Sequence, residues 1–191
     1  MKKAILTEGK HDVSFLSRIH ERNISGKRYN TYLTETADIT QTECLRSYLV
    51  DNRFDCIYKS EEGYSNVIKK LRSHSLMFTQ FSIYILVDLD GKPVSDFFEH
   101  ANTKFTEDYG NRLKIRRSGE NNNDHMAIID STLEISGYDD RPIPVMAFYD
   151  SLEEVTGINY SDELSTKITK INSYLDSNPQ IESDVCETIF D

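Results

Sequence analysis

Four carboxylates in two short clusters carry the strongest chemical signal in the sequence. Glu8 and Asp12 lie in Thr7-Glu8-Gly9-Lys10-His11-Asp12, and Asp88 and Asp90 in Val87-Asp88-Leu89-Asp90-Gly91. Residues two apart on an extended strand project to the same side, so Asp88 and Asp90 would present a pair of carboxylates while Leu89 turns into the fold. Glu8 alongside them would complete three hard oxygen donors, a set that suits Mg²⁺ or Mn²⁺ with waters and a substrate phosphate filling the octahedron. Without a cation the cluster is costly, because neighbouring like charges raise one another's pKa. Lys10, in the same turn as Glu8, adds a cation that can reach a phosphate. Singly, each acidic group has an ordinary role: Asp-Gly is turn chemistry, and an Asp at a helix start complements the dipole. The combination is what points to a metal-dependent reaction at a phosphate.

Such a site exists only if the fold joins residues 80 positions apart, and the hydropathy pattern indicates that it does. Ala4-Ile5-Leu6 is a short buried strand running into a Gly-marked turn. A helix follows, with Val13, Leu16 and Ile19 at helical spacing. Tyr29 to Leu33 is a second strand, and Thr40-x-x-Glu43 is a capping box before a helix carrying Leu45, Tyr48 and Leu49. Phe54 to Tyr58 is another strand, and Tyr64 to Ser73 another helix. Phe81 to Val87, β-branched, aromatic and almost continuously apolar, suits a strand covered on both faces.

Ser95 caps a helix to about Glu107, and Arg112 to Arg116 alternates basic and apolar residues as a half-buried strand does. Gly119 to Asp124 reads as an exposed loop. Strands are expected over Met126 to Ile135 and Ile143 to Phe148, a helix capped by Ser151-x-x-Glu154, and a last helix carrying Leu164, Ile168, Ile171 and Leu175. Strands alternating with helices predict an α/β fold, a largely parallel sheet with helices on both faces. Ligands of such sheets bind at the carboxyl ends of strands, where Glu8, Asp88 and Asp90 all fall. A core over residues 1–120 and a C-terminal α/β extension over 121–191, packed on the core or continuous with it, complete the expected organisation.

The length of 191 residues suits one compact domain, and 38% hydrophobic with 28% charged residues excludes collagen-like, linker-like and disordered classes. No apolar run is long enough for a membrane span or a signal peptide, which sets a cytoplasmic expectation. Cys44, Cys56 and Cys186 form no CxxC pair, and the histidines show no zinc-ligand spacing. A net charge of −10 excludes a protein that coats nucleic acid by bulk attraction, but not one that meets phosphate through a bound cation. The densest basic segment, Arg112, Lys114 and Arg116, shares one face of its strand and could grip a nucleic-acid backbone. No G-x-x-x-x-G-K-[ST] is present, so the chain shows no ATPase motif of its own.

The stretch Ile5-Leu6-Thr7-Glu8-Gly9-Lys10-His11-Asp12-Val13-Ser14-Phe15-Leu16 resembles the first motif of Toprim domains, and Ile83 to Asp90 resembles their second. The Glu-Gly-x-x-Asp form with a following Phe-Leu is most similar to the overcoming-lysogenization-defect nucleases and the small stand-alone Toprim proteins. The resemblance implies a Rossmann-like Toprim fold and a Mg²⁺- or Mn²⁺-dependent nuclease, or a related phosphodiester-transfer protein, acting on DNA or RNA. It implies Glu8 as metal ligand or general acid/base, Asp88 and Asp90 as metal ligands, and Asp12 in support of a second metal. It also implies a further acidic ligand later in the chain. Glu153 is the choice, because Glu154 is the capping-box partner of Ser151 and Asp150 a loop residue; Glu120 and Asp124 are weaker rivals.

The spacing between the two motifs exceeds that of the compact members, implying an inserted strand–helix unit. Two other readings stand beside the nuclease. One is a non-catalytic Toprim-like module that binds an ATPase, another protein or a nucleic-acid complex. The other starts from Ile85 to Gly91, which also resembles the opening motif of haloacid-dehalogenase-type phosphatases. In that motif the first Asp is the nucleophile, but here Lys92 stands where a small hydroxyl residue is usual.

Overall fold

The computed structural model describes residues 2–33, 54–77 and 80–190. In chain order the elements are β1 (Lys2–Thr7), α1 (Lys10–Asn23), β2 (Tyr29–Tyr32), β3 (Cys56–Ser60), α2 (Tyr64–Met77), β4 (Phe81–Asp88) and α3 (Val94–Tyr109). A 3-10 turn, Gly110–Arg112, leads into β5 (Leu113–Asn122), β6 (Met126–Ile135), β7 (Arg141–Pro142) and β8 (Val145–Phe148). Three helices follow: α4 (Leu152–Thr156), α5 (Leu164–Ser177) and α6 (Pro179–Phe190).

The apolar run of β4 is buried because the strand lies inside a sheet of order β2-β3-β1-β4-β8-β6-β5, with β7 on β6. β2, β3, β1, β4 and β8 pair in parallel, whereas β6 joins β8, β5 and β7 antiparallel, so the sheet is mixed and mostly parallel. Alternate residues of the strands feed two cores. Leu6, Ile83, Ile85 and Val87 pack with Val67 and Leu71 of α2 and Phe97 and Phe105 of α3 on one face. Ile5, Tyr84 and Leu86 pack with Phe15 and Leu16 of α1, Leu152 of α4, Leu175 of α5 and Val185 of α6 on the other. Residue 120 lies within β5, and residues 121–191 contribute three strands to the same sheet and three helices to one face.

The structure departs from the expected elements in four places. Gly119 to Asn122 is strand, not loop: Asn121 pairs with Ile128 and Asn122 with Ala127, so the partner strand imposes extension on a polar segment with little strand propensity of its own. The helix expected to be capped by Ser95 begins at Val94, with Pro93 at its cap; proline's fixed φ suits the entry. α5 is not the last helix, since Pro179 opens α6 and Ile181, Val185 and Ile189 anchor it at four-residue spacing. The third strand runs over Cys56–Ser60, later than expected, which carries Lys59 into the interior. The helix expected after Thr40 lies outside the described residues.

Candidate functional site

Parallel pairing puts the carboxyl ends of β3, β1, β4 and β8 at one edge of the sheet, and the chain leaves each of them through an acidic segment. Glu8 follows β1 directly. The backbone of Asp88, the last residue of β4, and of Tyr64, the first residue of α2, favours the charged form of its carboxyl. The backbone of this turn is held as well: Gly63 N–H donates to Glu8 C=O at 2.9 Å, and Glu61 N–H to Thr7 C=O at 2.9 Å. Asp88 is tied by one oxygen, Oδ2, which accepts from Leu152 N–H at the start of α4 at 3.3 Å. Its Oδ1 is buried with no hydrogen-bond partner among the described residues.

Asp12, buried in the first turn of α1, accepts from Gly9 N–H at 2.7 Å and so satisfies the backbone donor at the helix cap. Gly9 has an extended φ of −128°, and a Cβ there would meet Asp12 Oδ2 at an ordinary 3.5 Å, so neither strain nor space demands glycine. Glu153, in the first turn of α4, reaches across to α1, where its Oε1 lies 2.5 Å from His11 Nδ1. The His11 ring packs against Tyr160 with centroids 4.9 Å apart. Ser151 and Glu154 form the expected reciprocal cap, which leaves Glu153 to face the site.

Electrostatics joins these groups into one cluster. Burial, and then the charges of Asp90 and Glu153, raise the pKa of Glu8. Burial, with Asp88, Glu153 and Glu8 beside it, raises Asp12 well above the usual carboxylate range. Asp88 is pushed up to about 8, mainly by burial and then by Glu8, Glu153 and Asp90. Desolvation and like charge act in the same direction on all three, so a proton or a bound cation relieves the cluster.

Asp90 corrects the expectation on which the aspartate pair was built. β4 ends at Asp88, and Asp90 and Gly91 both have positive φ, 51° and 73°, in a tight turn closed by Lys92 N–H to Leu89 C=O at 2.9 Å. The Asp-Gly turn signal therefore prevails over strand alternation, and Asp90 stands exposed at the cavity rim instead of in line with Asp88.

Two cavities meet at the Glu8–Asp88 ridge. One, of about 600 Å³, is lined by Glu8, Asp12, Asp88 and Glu153 together with Lys10, His11 and Lys167. The other, of about 540 Å³, lies toward α2 and α3 and includes Asp90. Among the described residues no three Asp, Glu, His or Cys side chains stand ready-placed to hold a metal ion. Three of the carboxylates instead have protein partners, Asp12 in Gly9, Asp88 in Leu152 and Glu153 in His11. The unpartnered Asp88 Oδ1 and the all-oxygen carboxylate set match a hard divalent cation in chemistry.

Arg112, Lys114 and Arg116 are not part of this site. Arg112 ends the 3-10 turn before β5, Lys114 and Arg116 lie at the start of that strand, which enters the sheet at the opposite edge, and all three line a separate cavity with Asn102 and Tyr138. Arg116 is paired with Glu134 at 2.6 Å. The basic side chains that do face the acidic cluster are Lys10, which pairs with Glu62 at 3.5 Å, Lys92, which the sequence marked only as a departure from the phosphatase motif, and Lys167, which it did not single out. Lys167 is four residues from Ile171 and so shares a helix face with a core residue, the signal that could have placed it. His11 was likewise missed, because its partner Glu153 is 142 residues away.

The chain matches no protein-family model, and a search of curated proteins finds no match. Among the described residues no helix is long and apolar enough to cross a membrane.

Proposed function

We propose that this protein is a divalent-metal-dependent nuclease or a closely related phosphodiester-transfer enzyme with a Toprim-like site at the carboxyl edge of its sheet. The observation that carries the reading is the convergence of Glu8, Asp12, Asp88 and Glu153 on one cavity, with the inner oxygen of Asp88 unpartnered. Glu8, Asp88 and Asp90 would hold the first cation, and Asp12 with the free Oε2 of Glu153 would support a second. A bound Mg²⁺ or Mn²⁺ supplies charge stabilisation at a phosphate and a lowered pKa for water.

The chain's own groups do the rest. Glu8, whose carboxyl is raised by burial and by the charges of Asp90 and Glu153, is the group suited to carry a proton. Lys10 and Lys167 offset the charge of the polymer backbone on the α1 side. The Glu153–His11 contact fixes His11 through Nδ1 and leaves Nε2 as the nitrogen able to meet substrate.

The test is cleavage of supercoiled plasmid, single-stranded DNA and structured RNA with Mg²⁺, Mn²⁺ or EDTA. Metal-dependent cleavage that disappears in Asp88→Ala/Asp90→Ala is the expected result. Lys10→Ala is expected to lower the rate by roughly tenfold, and Arg112→Ala/Lys114→Ala to leave it within about twofold, since only the first faces the cluster. Equal losses in both would overturn this placement of substrate.

A second reading, a binding module without catalysis, is favoured by one observation, that no three metal-ligating groups are ready-placed among the described residues. Mn²⁺ binding by calorimetry with no cleavage of any polymer would decide for it. The phosphatase reading is disfavoured by Lys92, which stands where that motif carries a small hydroxyl residue.

A further inference from the structure

The cavity on the α2–α3 side of the Glu8–Asp88 ridge differs in chemistry from the one that faces Lys10 and Lys167. Its volume of about 540 Å³ lies in the range of small-ligand sites. Its walls carry Tyr64, Phe97 and His100, a packed aromatic set in which Tyr64 lies 5.6 Å from Phe97 and 5.4 Å from His100 between ring centroids. His100 Nε2 is buried there with no hydrogen-bond partner among the described residues. Asp96 and Glu99, both exposed on the first turns of α3, add acceptors at the rim, and Lys92 is the one lysine among the lining residues.

We propose, on the reading that the ridge cleaves nucleic acid, that this cavity is a nucleobase subsite for the nucleotide beside the scissile phosphate, favouring bases that carry an exocyclic amino group. Glu8 and Asp88 border both cavities, so a phosphate held at them has this aromatic pocket on one side and the lysine-lined cavity on the other. A further run of phosphates is disfavoured on the acidic side, since Asp96 and Glu99 add charge of the same sign as the backbone. A flat base is favoured, because aromatic side chains stack on any base and tolerate sequence.

Selection comes from the acceptors. Two carboxylate acceptors are matched best by the two N–H donors of an exocyclic amino group, which adenine, cytosine and guanine offer, whereas thymine and uracil bring only the single imino N3–H. Tyr64 connects the two parts of the site: its hydroxyl pKa is raised by burial and by the charges of Glu8 and Asp96, so it lies within the field of both.

The experiment compares short oligonucleotides that differ only in the base flanking the cleaved bond, with Mn²⁺ affinity measured in parallel by calorimetry. Faster cleavage, by roughly fivefold or more, is expected when that base is A, C or G than when it is T. Asp96→Asn/Glu99→Gln is expected to shrink this preference, and Tyr64→Ala to raise KM by roughly tenfold for every base, a loss that Tyr64→Phe, which keeps the ring, rescues in large part. Equal rates for all bases, or a preference that survives both variants, would overturn the subsite while leaving the metal site intact.

If wild-type protein binds no Mn²⁺ and cleaves nothing, the parent reading fails. The pocket is then tested alone, by fluorescence of a single-stranded oligonucleotide containing 2-aminopurine. Quenching lost in Tyr64→Ala but kept in Tyr64→Phe supports base binding. Absent quenching, or quenching indifferent to both variants, overturns it.

Discussion

Asp88→Asn is expected to abolish metal-dependent cleavage and, without metal, to make the protein more stable at pH 8. The two effects have one origin. Asp88 is buried among Glu8, Glu153 and Asp90, and its pKa is pushed from 3.8 in a free chain to about 8 in the fold. A raised carboxyl pKa means that the folded state binds more protons than the unfolded state between those two values. Stability therefore falls as pH rises through that window, and the loss is complete above the folded pKa. Asparagine cannot ionise, so the variant lacks this loss. Between pH 5 and pH 9 its unfolding free energy should fall less than that of wild type, by roughly 2–4 kcal/mol after allowance for coupling to the neighbouring carboxylates.

Chemical denaturation at several pH values measures the difference. Mn²⁺ should reverse the order at pH 8, because a ligand held only by the folded protein raises its stability by about 4.1 kcal/mol at a thousandfold excess over Kd. Wild type gains that amount and Asp88→Asn does not. A variant as pH-sensitive as wild type would show that Asp88 is not the group under strain.

Glu61→Ala is expected to be the most destabilising single substitution near the site, by about 3–5 kcal/mol. Lys59, Glu61 and His74 are each 0–1% exposed. Glu61 holds both of the others, with Oε2 at 2.6 Å from Lys59 Nζ and Oε1 at 2.8 Å from His74 Nε2. Removing the carboxylate leaves the Lys59 ammonium buried without its counter-charge, and that penalty exceeds the net worth of the ion pair. The double variant Lys59→Met/Glu61→Gln should accordingly be more stable than Glu61→Ala. Denaturation midpoints of the two proteins check the order, and the reverse order would refute the account. The same substitution should disturb Glu8, because the backbone of Glu61 and Gly63 holds that of Thr7 and Glu8.

What could be read in the sequence was what local patterning controls. The apolar run of β4 and the turn after β1 identified two strand ends, and parallel pairing then placed Glu8 beside Asp88. Capping logic separated Glu153 from Glu154, since Ser151 needs an acceptor three residues on. What could not be read depended on contacts distant in sequence. The extension of Gly119 to Asn122 is imposed by β6, the burial of Lys59 makes sense only with Glu61 and His74 around it, and the position of Arg112 and Lys114 follows from strand order. Asp90 went astray for a different reason: two local rules competed, and the turn prevailed.

β8 enters the sheet between β4 and β6, and it is the strand that delivers Glu153 to His11 across 142 residues and Leu152 to Asp88 across 64. Contacts so far apart along the chain form late, after the loop entropy between them has been lost. The acidic cluster is therefore expected to be among the last features to assemble. A chain that has folded β1 through β4 alone holds Glu8 and Asp88 without α4, and any phosphate chemistry waits on the C-terminal third to dock.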